Sequence, residues 1–314
     1  DAAEFLNRVY INGWKKLAVG KARYGVMLRE DGMVHDDGTT SRLAQNHFVM
    51  TTTTLNAGPV LAKLEFYLQA VWPDLRVRVT SVTDQYAAIA VAGPKSRSVM
   101  QRLLDIDISN AAFPFMAVAS CCFAGIADAR LFRISFSGEL AYEINLPADY
   151  GPAAWKALLE TGRQDGIGVY GTEAMGTLRV EKGHVAGPEI NGQTTAHDLG
   201  LGAMQSKLKP YIGKVLATRE GLCDVSRPAL VGLVPTDGKT WIKAGAQLVE
   251  NPHAAAPVAM LGHVTSIAYS GVLDHPIALA LLTGGMQREG DELYAAFALR
   301  DEAVKVRVVS PHFV

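Results

Sequence analysis

The stretch YGVMLREDGMVHDDGTT (24–40) carries the strongest fold signal in the chain. Its first five residues, YGVML, are typical of a β-strand, and REDG indicates the turn that ends it. The hairpin predicted here places VHDD (34–37) on its second strand. Successive side chains of a strand face opposite sides, so at most one of Asp36 and Asp37 can point into a given cavity. The residues alone leave this pair open as turn carboxylates or as part of a site.

Outward from the hairpin, the hydrophobic periodicity alternates between strand and helix patterns, which predicts an α+β fold. Apolar spacing predicts helices over 2–17, 58–73, 94–104, 149–162 and 168–184. Strand patterns cover LRVRVTSV (75–82), YAAIAVAG (86–93) and LFRISFSGELAYEINLP (131–147), where Ser137-Gly138 forms the turn between two strands.

After about residue 222 the pattern changes to short strands separated by Gly, Pro and Asp turns. The predicted strands are ALVGLVP (229–235), LGHVTSIAYS (261–270), HPIALALLTG (275–284) and AVKVRVVSP (303–311). This spacing predicts a small all-β sandwich or barrel. The chain therefore divides into a region 1–222 and a C-terminal β domain 223–314.

Composition restricts the class of protein. The chain has 314 residues, 49% hydrophobic and 19% charged, which predicts a soluble multidomain protein and excludes a disordered one. No stretch offers the roughly 18 apolar residues that a membrane span needs. The net charge of -1 does not favour binding to nucleic acid or to an anionic bilayer. A small molecule or another protein is the expected partner.

The three cysteines, Cys121, Cys122 and Cys223, form neither a disulfide framework nor a zinc motif, which predicts a cytoplasmic protein. The chain begins at DAAEFLNRVY without an initiator Met, so we expect the start to be internal to a longer polypeptide.

The sequence lacks the motifs of metal sites, hydrolases and dinucleotide-binding folds. Asp36-Asp37 has no EF-hand spacing and the eight histidines show no ligand spacing, so no metal site is predicted. No G-x-S-x-G elbow supports a hydrolase, and no G-x-G-x-x-G follows a strand to bind a dinucleotide.

Two polar features remain open between structural and binding roles. Glu143 lies on a predicted half-buried strand, where its carboxylate needs either a structural hydrogen-bond partner or a ligand. The run TTTT (51–54) suits a strand edge, or a wall of hydroxyl and backbone donors for a heterocycle.

These stretches together resemble the folate-dependent aminomethyltransferases, the T-protein group. YGVMLREDGMVHDD is similar to that group's strand-turn-strand ending in GGxxDD, and RISFSGELAYEI to its GYTGEDGxEI. TLRVEKG followed by GQTTAHDLGLG is similar to its LRLEAG and TPxEAGLG segments. Order and spacing agree over nearly the whole chain. YGTEAMGTLRVEKG and HFVMTTTT also resemble the C-terminal folate domain of the α subunits of heterotetrameric sarcosine oxidases.

The resemblance implies an α+β, T-protein-like three-domain cloverleaf around a central tetrahydrofolate site, with ferredoxin-like parts and a C-terminal distorted β-barrel. It implies that Asp37 is the catalytic folate carboxylate and that Glu143 binds the pterin edge, with Asp36 a structural or solvent-facing neighbour. The other folate-binding positions that it implies are Tyr24, Thr52, Thr53, Thr54 and Phe136.

The resemblance also implies a reaction and partners. The carbon released by flavin-dependent oxidation of sarcosine or a similar N-methylamine would be captured as 5,10-methylenetetrahydrofolate. FAD, FMN and NAD would lie in the rest of the complex, which comprises the β, γ and δ subunits and the N-terminal part of the α subunit. Met175 replaces an arginine of the T-protein group, and Phe136 replaces its tyrosine. An assembly module without folate binding and a stand-alone folate-dependent aminomethyltransferase or demethylase are the alternatives.

Overall fold

The computed structural model describes residues 1–255 and 257–314, which form two compact units. Unit 1 comprises residues 1–27, 36–170 and 208–211. Unit 2 comprises residues 28–35, 171–207 and 212–314. All the candidate site residues from the sequence belong to unit 1: Tyr24, Asp37, Thr52, Thr53, Thr54, Phe136 and Glu143.

The predicted hairpin at 24–40 is confirmed and lies in a three-stranded sheet of order β1-β2-β3. Its strands are β1 (Lys21–Leu28), β2 (Val34–Ala44) and β3 (His47–Met50). The rings of Tyr10 and Trp14 pack on β1 at Gly25, where an added Cβ would lie 2.6 Å from Tyr10 Cδ1. Glycine at this position therefore lets two buried aromatic side chains reach the strand.

The N-terminal helix is shorter than predicted. The apolar spacing indicates a helix over 2–17, but α1 ends at Val9 because Tyr10 adopts an extended conformation. Phe5, Leu6 and Val9 form the buried stripe of α1. Two further predicted helices are confirmed with shorter bounds, α2 (Ala57–Phe66), which continues as a π turn over Tyr67–Val71, and α3 (Ser96–Gln101).

The second sheet of unit 1 has four antiparallel strands in the order β4-β7-β6-β5. Its strands are β4 (Tyr86–Ala92), β5 (Val118–Phe123), β6 (Ile126–Phe132) and β7 (Ala141–Pro147). One face forms an apolar core that includes Met100 of α3 and Leu158 of α4 (Gly151–Gly162). The predicted strand-turn-strand at 131–147 is confirmed, but residues 133–140 between its strands are irregular.

The strand predicted over 75–82 is wrong. This segment forms no ladder with another strand in the described part of the chain, and β4 begins only at Tyr86. Its few bonds are local or to a side chain, such as Val77 N to Leu75 O (3.0 Å) and Arg76 N to Asp1 Oδ2 (2.9 Å). Alternating apolar residues suit a pleated surface, but a strand also needs a neighbour that supplies backbone hydrogen bonds.

Unit 2 contains a closed six-stranded barrel of order β10-β11-β8-β13-β12-β9, so the predicted β-rich C-terminal region is confirmed as a barrel. The strands are β8 (Pro228–Pro235), β9 (Gln247–Val249), β10 (Gly262–Ser270), β11 (His275–Thr283), β12 (Glu292–Phe297) and β13 (Glu302–Val309). The sequence pattern missed β9 and β12. The division at residue 222 stays a prediction.

Helix α5 (Thr172–Glu181) precedes the barrel, joined to it by a segment that includes the short helices α6 (Lys214–Ala217) and α7 (Glu220–Cys223). A buried polar cluster connects α5 to β10: Arg179 donates to Glu189 (2.9 Å) and to Ser266 (2.6 Å), and Ser266 donates to Glu189 (2.6 Å). Every member of the cluster has a partner, so its charges are compensated.

Within the described residues, no helix combines the length and apolar character required to cross a bilayer.

Candidate functional site

Asp37 and Tyr24 face each other across the hairpin. The Tyr24 hydroxyl donates a 2.7 Å hydrogen bond to Asp37 Oδ2, joining β1 to β2. The Tyr24 main chain is held as well, because Asn12 Nδ2 donates to the Tyr24 carbonyl (2.8 Å). Both side chains are partly buried. The structure therefore brings together Asp37 and Tyr24, two of the candidate residues from the sequence.

The surroundings of Asp37 disfavour its charged form. Burial raises its pKa to about 6, with a further upward contribution from the negative charge of Asp36, while the Tyr24 hydrogen bond acts in the opposite direction. Burial and the same two carboxylates raise the pKa of Tyr24, so this hydroxyl keeps its proton and acts as the donor. A carboxylate with a pKa near 6 can accept and return a proton close to neutral pH.

Asp36 has a different role from its neighbour. Its side chain is 0% exposed, and it accepts hydrogen bonds from Thr53 N (3.1 Å) and Asn56 Nδ2 (2.9 Å). Asp36 is therefore a structural neighbour of Asp37 and does not face solvent. It attaches the turn at 53–56 to strand β2.

Beyond Thr51, whose N–H still donates to Thr39 O of β2 (2.8 Å), the threonine run is not a strand edge. Strand β3 ends at Met50, and the turn that follows runs from Thr54 to Asn56. Thr52 is partly buried, whereas Thr53 and Thr54 are exposed. Through Asp36, the Thr53 main chain is held next to the strand that carries Asp37.

The glycine of the DDG motif, Gly38, lies where the Thr51 main chain approaches strand β2. A Cβ at Gly38 would lie 2.1 Å from the Thr51 carbonyl oxygen. Thr39 and Thr51 are bonded here, since Thr51 N donates to Thr39 O (2.8 Å) and Thr39 N donates to Thr51 Oγ1 (3.0 Å). The absence of a side chain at Gly38 allows this approach.

Glu143 lies on β7, on the sheet face opposite the apolar core. It is half-buried, and burial raises its pKa. Among the described residues it has no hydrogen-bond or ion-pair partner. The sequence left open whether a structural donor satisfies the Glu143 carboxylate. Among the described residues, no such donor is present.

Phe136 lies in the irregular segment between β6 and β7 and is 41% exposed.

Glu143 and Asp37 belong to different sheets of unit 1 and share no hydrogen bond. The structure thus pairs Tyr24 with Asp37, and the adjacent residue Asp36 separately binds the turn at 53–56. Sequence reasoning missed the bonds of Asp36 to that turn, and no local pattern signals them because the partners lie 17 and 20 residues away.

In the described part of the chain, no three His, Cys, Asp or Glu side chains cluster as they would around a metal ion.

Two family models together match most of the chain. Residues 1–209 match the GCVT N-terminal domain, and residues 229–314 match the glycine cleavage T-protein C-terminal barrel domain. The chain is also similar to a solved structure, the glycine cleavage system aminomethyltransferase T from Bartonella henselae. The TM-score is 0.82 at 25% identity, covering 99% of this chain and 81% of that one. The predicted T-protein-like fold is confirmed.

The chain is similar to sarcosine oxidase subunits alpha and to aminomethyltransferases. Sarcosine oxidase subunit alpha of Rhizobium meliloti (strain 1021) is 51% identical over 100% of this chain, which covers 32% of that protein. The corresponding subunit from Corynebacterium sp. (strain P-1) is 45% identical over 93% of this chain and 31% of its own length. The chain thus spans about a third of these relatives. An aminomethyltransferase from Streptomyces coelicolor is 31% identical, covering 93% of this chain and 76% of that protein. This chain belongs to the glycine cleavage T-protein (GCVT) family.

Proposed function

We propose that the chain binds tetrahydrofolate and captures a one-carbon unit on it, as the folate part of an enzyme like sarcosine oxidase. The observation that carries this proposal is the Tyr24–Asp37 pair, a partly buried carboxylate held at 2.7 Å with a pKa of about 6. The 51% identity to a sarcosine oxidase subunit alpha supports sarcosine or a similar N-methylamine as the carbon source.

Tetrahydrofolate supplies the N5 and N10 amines that take up the carbon as 5,10-methylenetetrahydrofolate. With formaldehyde as donor, two N–H bonds are replaced by two N–C bonds and one water leaves. With an iminium donor, the demethylated amine and one proton leave. Asp37 accepts the proton lost by the attacking nitrogen, and Tyr24 holds the carboxylate in position for it.

The remaining residues fit the binding of a pterin. Glu143 is a half-buried carboxylate without a protein partner in the described residues, and the 2-amino and N3–H groups of a pterin supply two donors for such a carboxylate. Thr52, Thr53 and Thr54 would supply hydroxyl and main-chain groups for the ligand, and the main-chain N–H of Thr53 is held by Asp36, the neighbour of Asp37. Tyr24 and Phe136 flank the flat ring.

The carbon source lies outside this chain in the proposal. FAD, FMN and NAD bind in the N-terminal part of the α subunit and in the β, γ and δ subunits, which are the proposed partners. That further parts of the protein lie outside this chain is supported by its spanning about a third of each sarcosine oxidase subunit alpha, and the three cofactors are those that the family resemblance implies. The proposed location is the cytoplasm.

Titration of the full-length protein with tetrahydrofolate under anaerobic conditions tests the proposal. We expect saturable binding by the wild type and formation of 5,10-methylenetetrahydrofolate from formaldehyde, with at least about a 100-fold loss of this reaction in Asp37→Ala. Asp149→Ala, which removes an exposed carboxylate of unit 1, is the matched control and should behave as wild type. Equal, weak binding by all three proteins would select the assembly module.

A stand-alone aminomethyltransferase is the second candidate. It is favoured by the 31% identity to a protein of that name, of which the chain covers 76%. Met175, which lies on α5, stands where the T-protein group has an arginine, and this difference places the aminomethyl-lipoyl reaction second. Transfer from an aminomethylated carrier protein, with no response to formaldehyde, would select it.

A further inference from the structure

Strand β7 presents two polar side chains on the face that carries Glu143. Tyr142, Ile144 and Leu146 are each 0% exposed and belong to the apolar core. Side chains alternate along a strand, so Glu143 and Asn145 both point to the opposite side of the sheet. This pair of residues is here called the polar face of β7.

Asn145 has an unsatisfied group on this face. Its Oδ1 atom is buried and accepts no hydrogen bond from any described residue. Buried side-chain acceptors in native proteins nearly always have a partner, because an unpaired one loses the bonds that it made to water. An orphaned acceptor next to a carboxylate that also lacks a partner indicates a missing donor group.

The strand on one side of β7 carries small, exposed side chains opposite this pair. On β4, Ala90 pairs with Glu143 and Ala88 pairs with Asn145, and both alanines are exposed. On β6, Arg130 pairs with Asn145. The Arg130 guanidinium lies 4.3 Å from the centre of the Tyr86 ring, so its charge is placed on that ring and not on Glu143.

We propose that Asn145 is a second pterin-binding residue, whose carboxamide binds N1 and N8–H of reduced folate while Glu143 binds the 2-amino and N3–H groups. This inference rests on the proposed function. Positions i and i+2 of a strand are separated by about 6.6 Å, which places the two side chains along adjacent edges of one bicyclic ring. A carboxamide offers one acceptor and one donor, as it does in paired contacts to a purine edge.

This contact distinguishes the oxidation states of the pterin. In tetrahydrofolate N8 carries a hydrogen and N1 a lone pair, which match Oδ1 and Nδ2 of Asn145. In fully oxidised folic acid both nitrogens carry lone pairs, so the carboxamide can satisfy only one of them and Oδ1 stays unpaired. Asn145 therefore makes the site selective for the reduced form.

The test compares tetrahydrofolate and folic acid binding in the full-length protein, with Asn145→Leu and Asn145→Ala as variants. We expect Asn145→Leu to weaken tetrahydrofolate binding about tenfold and folic acid binding by less than about threefold. The melting temperature of ligand-free Asn145→Leu should rise, because a buried unpaired oxygen is removed. Asn145→Ala should lose the same selectivity even if its smaller side chain lowers the melting temperature. Ser120→Ala, an exposed change on β5, is the control.

Each outcome has a distinct meaning. Unchanged binding in both Asn145 variants, or an equal loss for the two ligands, overturns the role of Asn145 and leaves the proposed function standing. A wild type that binds neither ligand overturns the proposed function and this inference with it. Weaker binding of tetrahydrofolate together with higher stability supports the inference, since a purely structural residue cannot give both.

Discussion

The hydrogen bond from Tyr24 to Asp37 joins the first and second strands of the hairpin, while Asp36, the adjacent residue, binds the turn at 53–56. Two consecutive carboxylates thus have separate environments. Asp37 has one hydroxyl donor and a raised pKa, and Asp36 is fully buried with a main-chain and a side-chain donor. Asp36 maintains the local structure, and Asp37 is the carboxylate that the proposed function uses.

Asp37→Asn should make the protein more stable and inactive. The pKa of Asp37 rises from 3.8 to about 6 on folding, so the folded state binds more protons between these values. The ionised form at pH 7 therefore costs stability, on the order of 1–3 kcal/mol, which the neutral amide avoids. The gain should shrink as the pH falls from 6 towards 4. Chemical denaturation at pH 7 and pH 4 measures it, and a variant less stable than wild type at pH 7 would contradict the assigned environment.

Tyr24→Phe should move the acidic limb of the pH–rate profile to higher pH. The hydroxyl hydrogen bond lowers the pKa of Asp37, so its removal leaves burial and the charge of Asp36 acting unopposed by that bond. Formation of 5,10-methylenetetrahydrofolate from formaldehyde, followed between pH 5 and 8, gives the profile. Tyr150→Phe, at an exposed tyrosine of the same unit, should leave the limb in place.

Asp36→Asn should move the same limb in the opposite direction. Its negative charge raises the pKa of Asp37, and the amide removes that charge while keeping the size of the side chain. The variant should also lose about 1–3 kcal/mol of stability, since an amide cannot accept both bonds from Thr53 N and Asn56 Nδ2. A limb that shifts upward, as in Tyr24→Phe, would show that Asp36 does not act on Asp37 through its charge.

Gly38→Ala should destabilise unit 1 by about 2–3 kcal/mol or more, because the new Cβ would lie 2.1 Å from a main-chain oxygen. Gly58→Ala is the matched control, since Gly58 lies in α2 and a Cβ there meets nothing within 4 Å. That change should be neutral or stabilising by about 0.5–1 kcal/mol. Thermal unfolding of both variants compares them, and equal melting temperatures would refute the close approach of Thr51.

Glu189→Ala should destabilise unit 2 by about 3–5 kcal/mol, because it leaves the Arg179 guanidinium buried without its counter-charge. Glu160→Ala serves as control: Glu160 forms an exposed pair with Lys156, and such pairs contribute little. Urea unfolding of the two variants provides the comparison. A loss at Glu189 no larger than at Glu160 would show that the buried cluster is dispensable.

Local patterns in the sequence were enough to predict much of the fold, and the resemblance of its motifs supplied candidate site residues. Alternation and turn residues at 24–40 predicted the hairpin, and apolar spacing predicted helices α1 to α5 and most of the barrel strands, because these signals depend on neighbours along the chain. The motif resemblance pointed to Tyr24, Asp37, Thr52, Thr53, Thr54, Phe136 and Glu143. It did so without any information on their contacts.

Tertiary structure decided what depends on distant partners. LRVRVTSV (75–82) has a strand pattern but no adjacent strand among the described residues, so it stays irregular. The burial of Asp36 depends on a turn almost twenty residues away, and the unpaired Oδ1 of Asn145 depends on what the adjacent strands leave uncovered. The two-residue alternation of side chains along a strand predicts which face of the sheet each residue occupies. Only the packed chain determines which hydrogen-bond donors reach that face, and therefore which carboxylate is held by the turn and which has a raised pKa.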